Sequence, residues 1–360
     1  MRISILPIVL ATVILLSSAS ASSSLNVSSS GVITSSPVGR WFDYIVVIML
    51  ENHQINHTYG MPVTPNTGWN TGSQTCLGNC TYFNNLADAN GFAESYTNHL
   101  VKGSLGDYIA ITSGDGSVSC NSPPGGTCGP FPDTNIADRI ENHGLTWKAY
   151  MEGYPIALGC ANSDNPSTHY STIHNPFIYY QDISGSARCN NIVNANSVNA
   201  PQTNPCWPNP PQNDNLFIGN LSSTATASNY MFLTPSSIDD AHDCNDISLT
   251  NLWLNQTIPQ ILNSFVFRTQ RAALFITFDE PDCTSTTTPP HTCPNPPKGY
   301  PLLYTVWASN PAIPTTIGGH KSVAVYDHFS LLRTVEDNWN LPTITSNDAS
   351  AMPMSEFLRP

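Results

Sequence analysis

Apolar positions along the chain fall into two rhythms. Asp43–Leu50 (DYIVVIML), Tyr230–Thr234 (YMFLT), Ala272–Phe278 (AALFITF) and Leu303–Ser309 are continuous runs rich in β-branched and aromatic residues. Runs of this length without polar alternation predict strands buried on both faces of a parallel sheet. Thr134–His143 (TNIADRIENH) instead sets Ile136 and Ile140 four apart, which predicts an amphipathic helix. Gly144 stops that helix, and Leu145–Tyr150 continues as a strand. Asp327–Trp339 predicts another helix. Strands alternating with helices imply an α/β fold: a three-layer α/β/α sandwich around a mostly parallel central sheet.

The ends of the pattern differ from its middle. Arg2, an apolar run from Ile3 to Leu16 and the small residues Ala19-Ser20-Ala21 have the form of a signal peptide over residues 1–21. The run is shorter than the roughly 20 residues that span a bilayer; an uncleaved anchor that tethers the chain at its start is the rival reading. Residues 22–40 are mostly Ser, Ala, Thr, Gly and Val and read as a flexible stalk. No second membrane-spanning run follows in the sequence, and residues 41–360 read as a single domain. Long loops rich in Pro, Asn and Cys, notably Cys189–Asn215 and Asp282–Lys298, interrupt it.

Composition narrows the setting. With 25 acidic residues against 12 basic, the formal net charge is −13, and no Lys/Arg cluster is present to engage a phosphate backbone. A nucleic-acid partner is excluded on that ground. Ten cysteines, an even number, suggest disulfides in a chain that works outside the cell. Cys76/Cys80, Cys120/Cys128 and Cys283/Cys293 each bracket a short loop, so local pairing is expected. Sequons at Asn26, Asn56, Asn79, Asn220 and Asn255 fit a secreted glycoprotein.

Chemistry concentrates where strands end. The first strand runs directly into Glu51-Asn52, and AALFITF runs into Asp279-Glu280. Parallel sheets place their sites at carboxyl ends of strands, and three carboxylates with an amide suit a hard divalent cation. The plainer reading is that each acid marks where a strand meets solvent. In GSLGDYIAITSG, Ser104 and Asp107 have the S-x-x-D spacing of a capping box before the apolar run Tyr108–Thr112. Ser104 is therefore either a cap or a nucleophile held at an anion-binding helix terminus. In DDAHDC, Asp240 and Asp243 flank His242, as metal ligands or as a proton donor with its orienting partner.

These motifs resemble, in order, those of the phosphoesterase family that contains acid phosphatases and bacterial and plant phospholipases C, enzymes of alkaline-phosphatase-like fold. VVIMLENHQINHTYG is similar to the family's opening ENxSFDxxFG segment, and NHLVKGSLGDYIAITSG to its HPSLPNYLALTSG segment. GLTWKAYMEG, HNPFIYYQDI, DDAHDC, LFITFDE and YDHFSLLRTVEDNWNLP follow, so the likeness spans roughly residues 41–342.

The resemblance implies that Glu51, Asn52, Asp279 and Glu280 surround a divalent metal (Mg²⁺, Ca²⁺, Mn²⁺ or Zn²⁺). It implies that Ser104 is the nucleophile, that Asp240 and His242 act at the phosphate or leaving group, and that His328 contacts phosphate. It also implies that His174 stands behind the groups that meet the substrate. The implied activity is hydrolysis of a small phosphate ester, with a phospholipid as the alternative substrate. An impaired surface-binding protein on the same scaffold is the reading from another class. One departure stands out: the family's Pro-Asn after the nucleophile is Gly106-Asp107 here, placing a carboxylate where an amide would meet the substrate. Lys102, in place of the usual His, would offset that charge in part.

Overall fold

A computed structural model of the chain describes residues 38–60, 80–98, 100, 102–155, 160–196, 214–243, 247–281 and 302–360. The expected signal peptide and stalk, much of the two long loops, the cysteines Cys76, Cys206, Cys244, Cys283 and Cys293, and the sequons at Asn26 and Asn79 lie outside the described residues. The strands are β1 (Tyr44–Leu50), β2 (Gly91–Ala93), β3 (Tyr96–Thr97), β4 (Trp147–Met151), β5 (Ile192–Asn194), β6 (Tyr230–Thr234), β7 (Ala272–Phe278), β8 (Leu302–Leu303), β9 (Thr305–Ala308) and β10 (Lys321–Ser322). Eight form one sheet in the order β10-β2-β9-β7-β1-β6-β4-β5, while β3 and β8 pair apart from it.

The sheet is parallel through its centre. β1 pairs with β7 and with β6, and β4 pairs with β6 and β5, all parallel. Only β9, between β7 and β2, runs against its neighbours. The last six residues of β1, Ile45–Leu50, are fully buried. Burying side chains of this kind contributes about 1.5–3 kcal/mol each relative to exposure, which is why the run tolerates no polar alternation.

Side-chain alternation along β7 separates the helical layers. Phe278 stacks on Phe83 of the Thr81–Ala89 helix, its ring centroid 6.2 Å away. Phe275 points the other way, to Trp307, which meets Phe42 and, through it, Trp339 of the His328–Trp339 helix. Residues three apart on a strand face opposite sides, so helices cover both faces. Tyr108 of the Ser104–Ser113 helix packs on Phe232 of β6. Among the described residues no helix is long and apolar enough to cross a membrane.

Several expectations shift by a residue or two. The helix expected over Thr134–His143 spans Ile136–Asn142, with Asn135 outside it as N-cap in a reciprocal box with Asp138. The strand expected over Leu145–Tyr150 begins at Trp147, after Gly144 at φ +75° has turned the chain. Leu303–Ser309 divides into β8 and β9. Cys120 pairs with Cys128 as spacing suggests, but Cys160 reaches Cys189, 29 residues on. Asn255 is exposed, whereas the Asn220 amide is half-buried and donates to the Tyr150 hydroxyl.

The His328–Trp339 helix fixes the entry to β1. The Asn338 side-chain oxygen Oδ1 accepts from the Trp41 and Phe42 amides, and its Nδ2 donates to the Phe42 carbonyl. Two residues earlier, buried Glu336 has no hydrogen-bond donor at either carboxyl oxygen. Burial, and the Asp348 carboxylate facing it, push its pKa up to about 9 from an ordinary 4.5. The folded chain therefore holds this proton while the unfolded chain releases it, and stability falls as pH rises between those two values, by up to about 1.4 kcal/mol per unit. Glu336→Gln, which mimics the protonated acid, should unfold at a higher temperature than wild type at pH 8. Thermal denaturation across pH should show that advantage vanishing towards pH 4.

Candidate active site

The central order β7-β1-β6 brings three carboxyl ends side by side, and the ladder extends past the strands to lash their tips together. The Glu51 amide donates to the Asp240 carbonyl at 2.9 Å, and the Asp279 amide to the Leu50 carbonyl at 2.9 Å. The Asn52 amide reaches the Asp279 carboxylate at 2.9 Å. Two non-glycine residues in this knot have left-handed backbone, Asn52 at φ +50° and Ala241 at φ +90°. Such residues persist only where surrounding contacts enforce them, and they gather at functional sites. At Ala241 the turn separates Asp240, fully buried, from His242, whose side chain is 39% exposed.

Glu51, Asp240 and His174 form the inner cluster. His174 lies on a 3₁₀ turn (Thr172–His174), with Nε2 3.3 Å from Glu51 and Nδ1 3.1 Å from Asp240. None of these approaches has hydrogen-bond geometry: both imidazole nitrogens, Glu51 Oε1 and Asp240 Oδ2 are buried without a partner. One atom from each of the three residues falls within 4.8 Å of the others, a spacing that could hold a metal ion. Burial, then the Asp279 and Asp240 charges, raise the pKa of Glu51 well above the carboxylate range. Burial lowers that of His174, leaving a neutral imidazole suited to ligation. Buried carboxylates this close stay ionised only beside positive charge, so the donor set fits a divalent cation.

Ser104 stands at the edge of this cluster. Its Oγ donates to Glu51 Oε2 at 3.0 Å, and Oε2 also accepts from the Asn52 side-chain amide at 3.2 Å. Ser104 is the first residue of its helix; Gly103, at φ +88°, precedes it and provides no side-chain cap. The capping-box reading of Ser104 and Asp107 is thereby corrected: the serine hydroxyl faces the carboxylate cluster, and the Asp107 carboxylate is buried with no donor at either oxygen. One of its oxygens lies within 4.8 Å of carboxylate oxygens of Asp279 and Glu280. Lys102, partly exposed, lies along the same helix terminus, its Cβ 2.6 Å from where a side chain on Gly106 would begin.

Two further histidines have different surroundings. His242 Nδ1 lies 2.9 Å from Asp243, and that hydrogen bond raises the imidazole pKa against the effect of burial. Asp243 is held by Ser237 and His169 as well, at 2.5 and 2.6 Å. The ring of His242 meets that of His174 edge-on, with centroids 5.3 Å apart. His328 is buried, its Nε2 2.6 Å from the Asp279 carbonyl and its Nδ1 3.0 Å from the Tyr96 hydroxyl. With both ring nitrogens engaged, it braces the end of β7 in this arrangement and offers no ring nitrogen to a phosphate.

The fold therefore brings Glu51, Asn52, Ser104, His174, Asp240 and Asp279 together, with His242 at the rim. Sequence reasoning missed Asn98, whose amide donates to the Asp279 carbonyl at 2.8 Å, and Tyr96. Asn98 stands six residues before Ser104, at the start of the segment whose motif was legible; its own role was not.

Residues 77–342 match the phosphoesterase family. A probable acid phosphatase of Kluyveromyces lactis is 26% identical over 251 residues, covering 68% of this chain and 49% of that protein. A phosphate-repressible acid phosphatase of Penicillium chrysogenum is 25% identical over 259 residues, covering 69% of this chain and 54% of its own length. The chain thus spans about half the length of the curated relatives it matches. A solved protein of the alkaline phosphatase superfamily from Vibrio parahaemolyticus shares the fold, with a TM-score of 0.56 at 12% identity over 90% of this chain and 72% of that one. By fold, motif order and the extent of that match, the chain belongs to the phosphoesterase family.

Proposed function

We propose that the protein is a metal-dependent acid phosphatase that hydrolyses phosphomonoesters through a phosphoserine at Ser104. One observation carries the reading: Ser104 Oγ, at a helix N-terminus, donates to a buried carboxylate whose neighbours are unpaired and converge on a cation-sized space. Glu51, Asp240 and His174 would hold the ion, with Asn52 and Asp279 beside them. A divalent ion there would acidify the serine hydroxyl and neutralise phosphate oxygens.

The chain's own groups supply the rest. Glu51 Oε2 takes the serine hydrogen bond, which turns an Oγ lone pair outward towards the substrate. The positive end of the helix dipole at Ser104 favours the phosphate anion. Oγ passes its proton to Glu51 Oε2 and attacks phosphorus, the bond to the leaving oxygen breaks, and His242, whose protonated form Asp243 favours, gives that oxygen a proton. Water then attacks the phosphoserine and gives a proton to His242, the Oγ–P bond breaks, Glu51 returns the serine proton to Oγ, and inorganic phosphate leaves. The described disulfides, Cys120–Cys128 and Cys160–Cys189, support work outside the cytosol.

Purified protein should hydrolyse p-nitrophenyl phosphate, lose that activity in chelator and regain it with added Mn²⁺ or Mg²⁺. A preference for p-nitrophenylphosphorylcholine would favour the phospholipase reading, and turnover of neither ester would remove the enzyme reading. Ser104→Ala should lower kcat at least about 10³-fold with the fold intact.

As a general acid with a raised pKa, His242 should make the rate fall as pH rises through that value. His242→Gln should cost about 10²-fold or more and remove this alkaline limb from the pH–rate profile. A mutant profile that keeps the limb would assign it to another group.

A further inference from the structure

β1 and β7 end in acids that build the site; β4 ends in one to which the phosphatase reading gives no task. GLTWKAYMEG carries β4 and places Glu152 directly after it, buried. β4 lies beside β6, and the Glu152 amide extends their ladder by donating to the Thr234 carbonyl at 3.0 Å. Both oxygens of its side chain accept hydrogen bonds. Oε2 takes the Ser236 backbone amide at 2.7 Å, and Oε1 takes the indole N–H of Trp253 at 2.7 Å. Trp253 is fully buried in the Ile247–Leu262 helix, so the acid ties that helix to the first residues after β6.

Ser236 is a consequential place to hold. Its carbonyl accepts the Asp240 amide at 2.9 Å, and the Ser237 carbonyl accepts the Asp243 amide at 2.6 Å. Ser237 Oγ also donates to the Asp243 carboxylate, which accepts from His242 Nδ1. The turn that sends Asp240 inward and His242 outward is thus rooted on Ser236-Ser237, and Glu152 fixes the root.

We propose that Glu152 is a positioning residue for the phosphatase reaction, clamping this turn so that His242 reaches the leaving oxygen. This rests on the phosphatase reading and on the role given there to His242. Glu152 acts through the backbone of the turn, not on the substrate. Burial, then the Asp214 and Asp239 charges, raise its pKa well above the carboxylate range. The clamp is therefore a neutral acid, whose work is geometric and needs no cation.

A misplaced general acid leaves a signature that a loosened fold does not. p-Nitrophenolate departs readily as an anion, whereas the more basic phenolate needs a proton as it leaves. Glu152→Leu keeps roughly the volume of the side chain and removes both acceptors. The measurement is kcat/KM, which covers the steps through departure of the leaving group, for the full chain supplied with Mn²⁺. In Glu152→Leu, kcat/KM for phenyl phosphate should fall at least about ten times further than that for p-nitrophenyl phosphate. If Glu152→Leu does not fold, Trp253→Phe, which removes one of the two donors that orient the acid, should show the same bias to a smaller extent. A loss no larger for phenyl phosphate than for p-nitrophenyl phosphate would overturn the positioning role and leave the phosphatase reading standing. Hydrolysis of neither ester by wild type would overturn both.

Discussion

Carboxylates buried at adjacent strand tips, without enough donors to satisfy them, are the constraint on which the site depends. Glu51, Asp240 and Asp279 are each fully buried, and each keeps an oxygen with no partner. A chain selected for stability alone would replace such residues with apolar ones. The architecture instead holds them in place. β1 lies between β6 and β7, ladder bonds continue beyond the strands, and backbone at Asn52 and Ala241 adopts φ values that ordinary loops avoid. Asn98 and His328 grip the Asp279 carbonyl from outside. The sheet works as a rigid mount for negative charge that a cation would complete.

The same surroundings give two neighbouring histidines opposite character. His174 sits inside, stacked nearly parallel on Tyr108, and burial favours its neutral form. His242 lies one ring away at the rim, and the hydrogen bond it donates to Asp243 favours its charged form. A neutral imidazole can ligate a metal, while an imidazolium can protonate a leaving group. The left-handed turn at Ala241 makes the division possible, because it sends Asp240 inward and His242 outward from either side of it.

Much of this was legible in the sequence where physics is local. The limits of β6 and β7 follow from their apolar runs, and β1 departs by one residue because Asp43 is drawn off to pair with Arg271. The acids at the strand ends were legible as candidate ligands, and the full burial of Glu51 and Asp279 decides against the plainer reading that each marks where a strand meets solvent. Ser104 was ambiguous for a physical reason: S-x-x-D describes both a capping box and a nucleophile on a helix terminus, and only the positive φ of Gly103 decides which way the hydroxyl points. The junction of His174 with Glu51 and Asp240 joins residues far apart in the chain, as does Cys160 with Cys189. Spacing does not encode such meetings. Even the family motif, which named Ser104, gave no account of a buried Asp107.

The central claim is that Ser104, aligned by the carboxylate cluster and its cation, is the atom that takes the phosphoryl group. Rapid acid quenching during turnover of a phosphomonoester, followed by peptide mass spectrometry, tests it most directly. A phosphoryl group on the Ser104 peptide, present during turnover and absent when chelator is added first, is the predicted result. Sustained hydrolysis with Ser104 unmodified, or with the phosphoryl group on another side chain, would contradict the account.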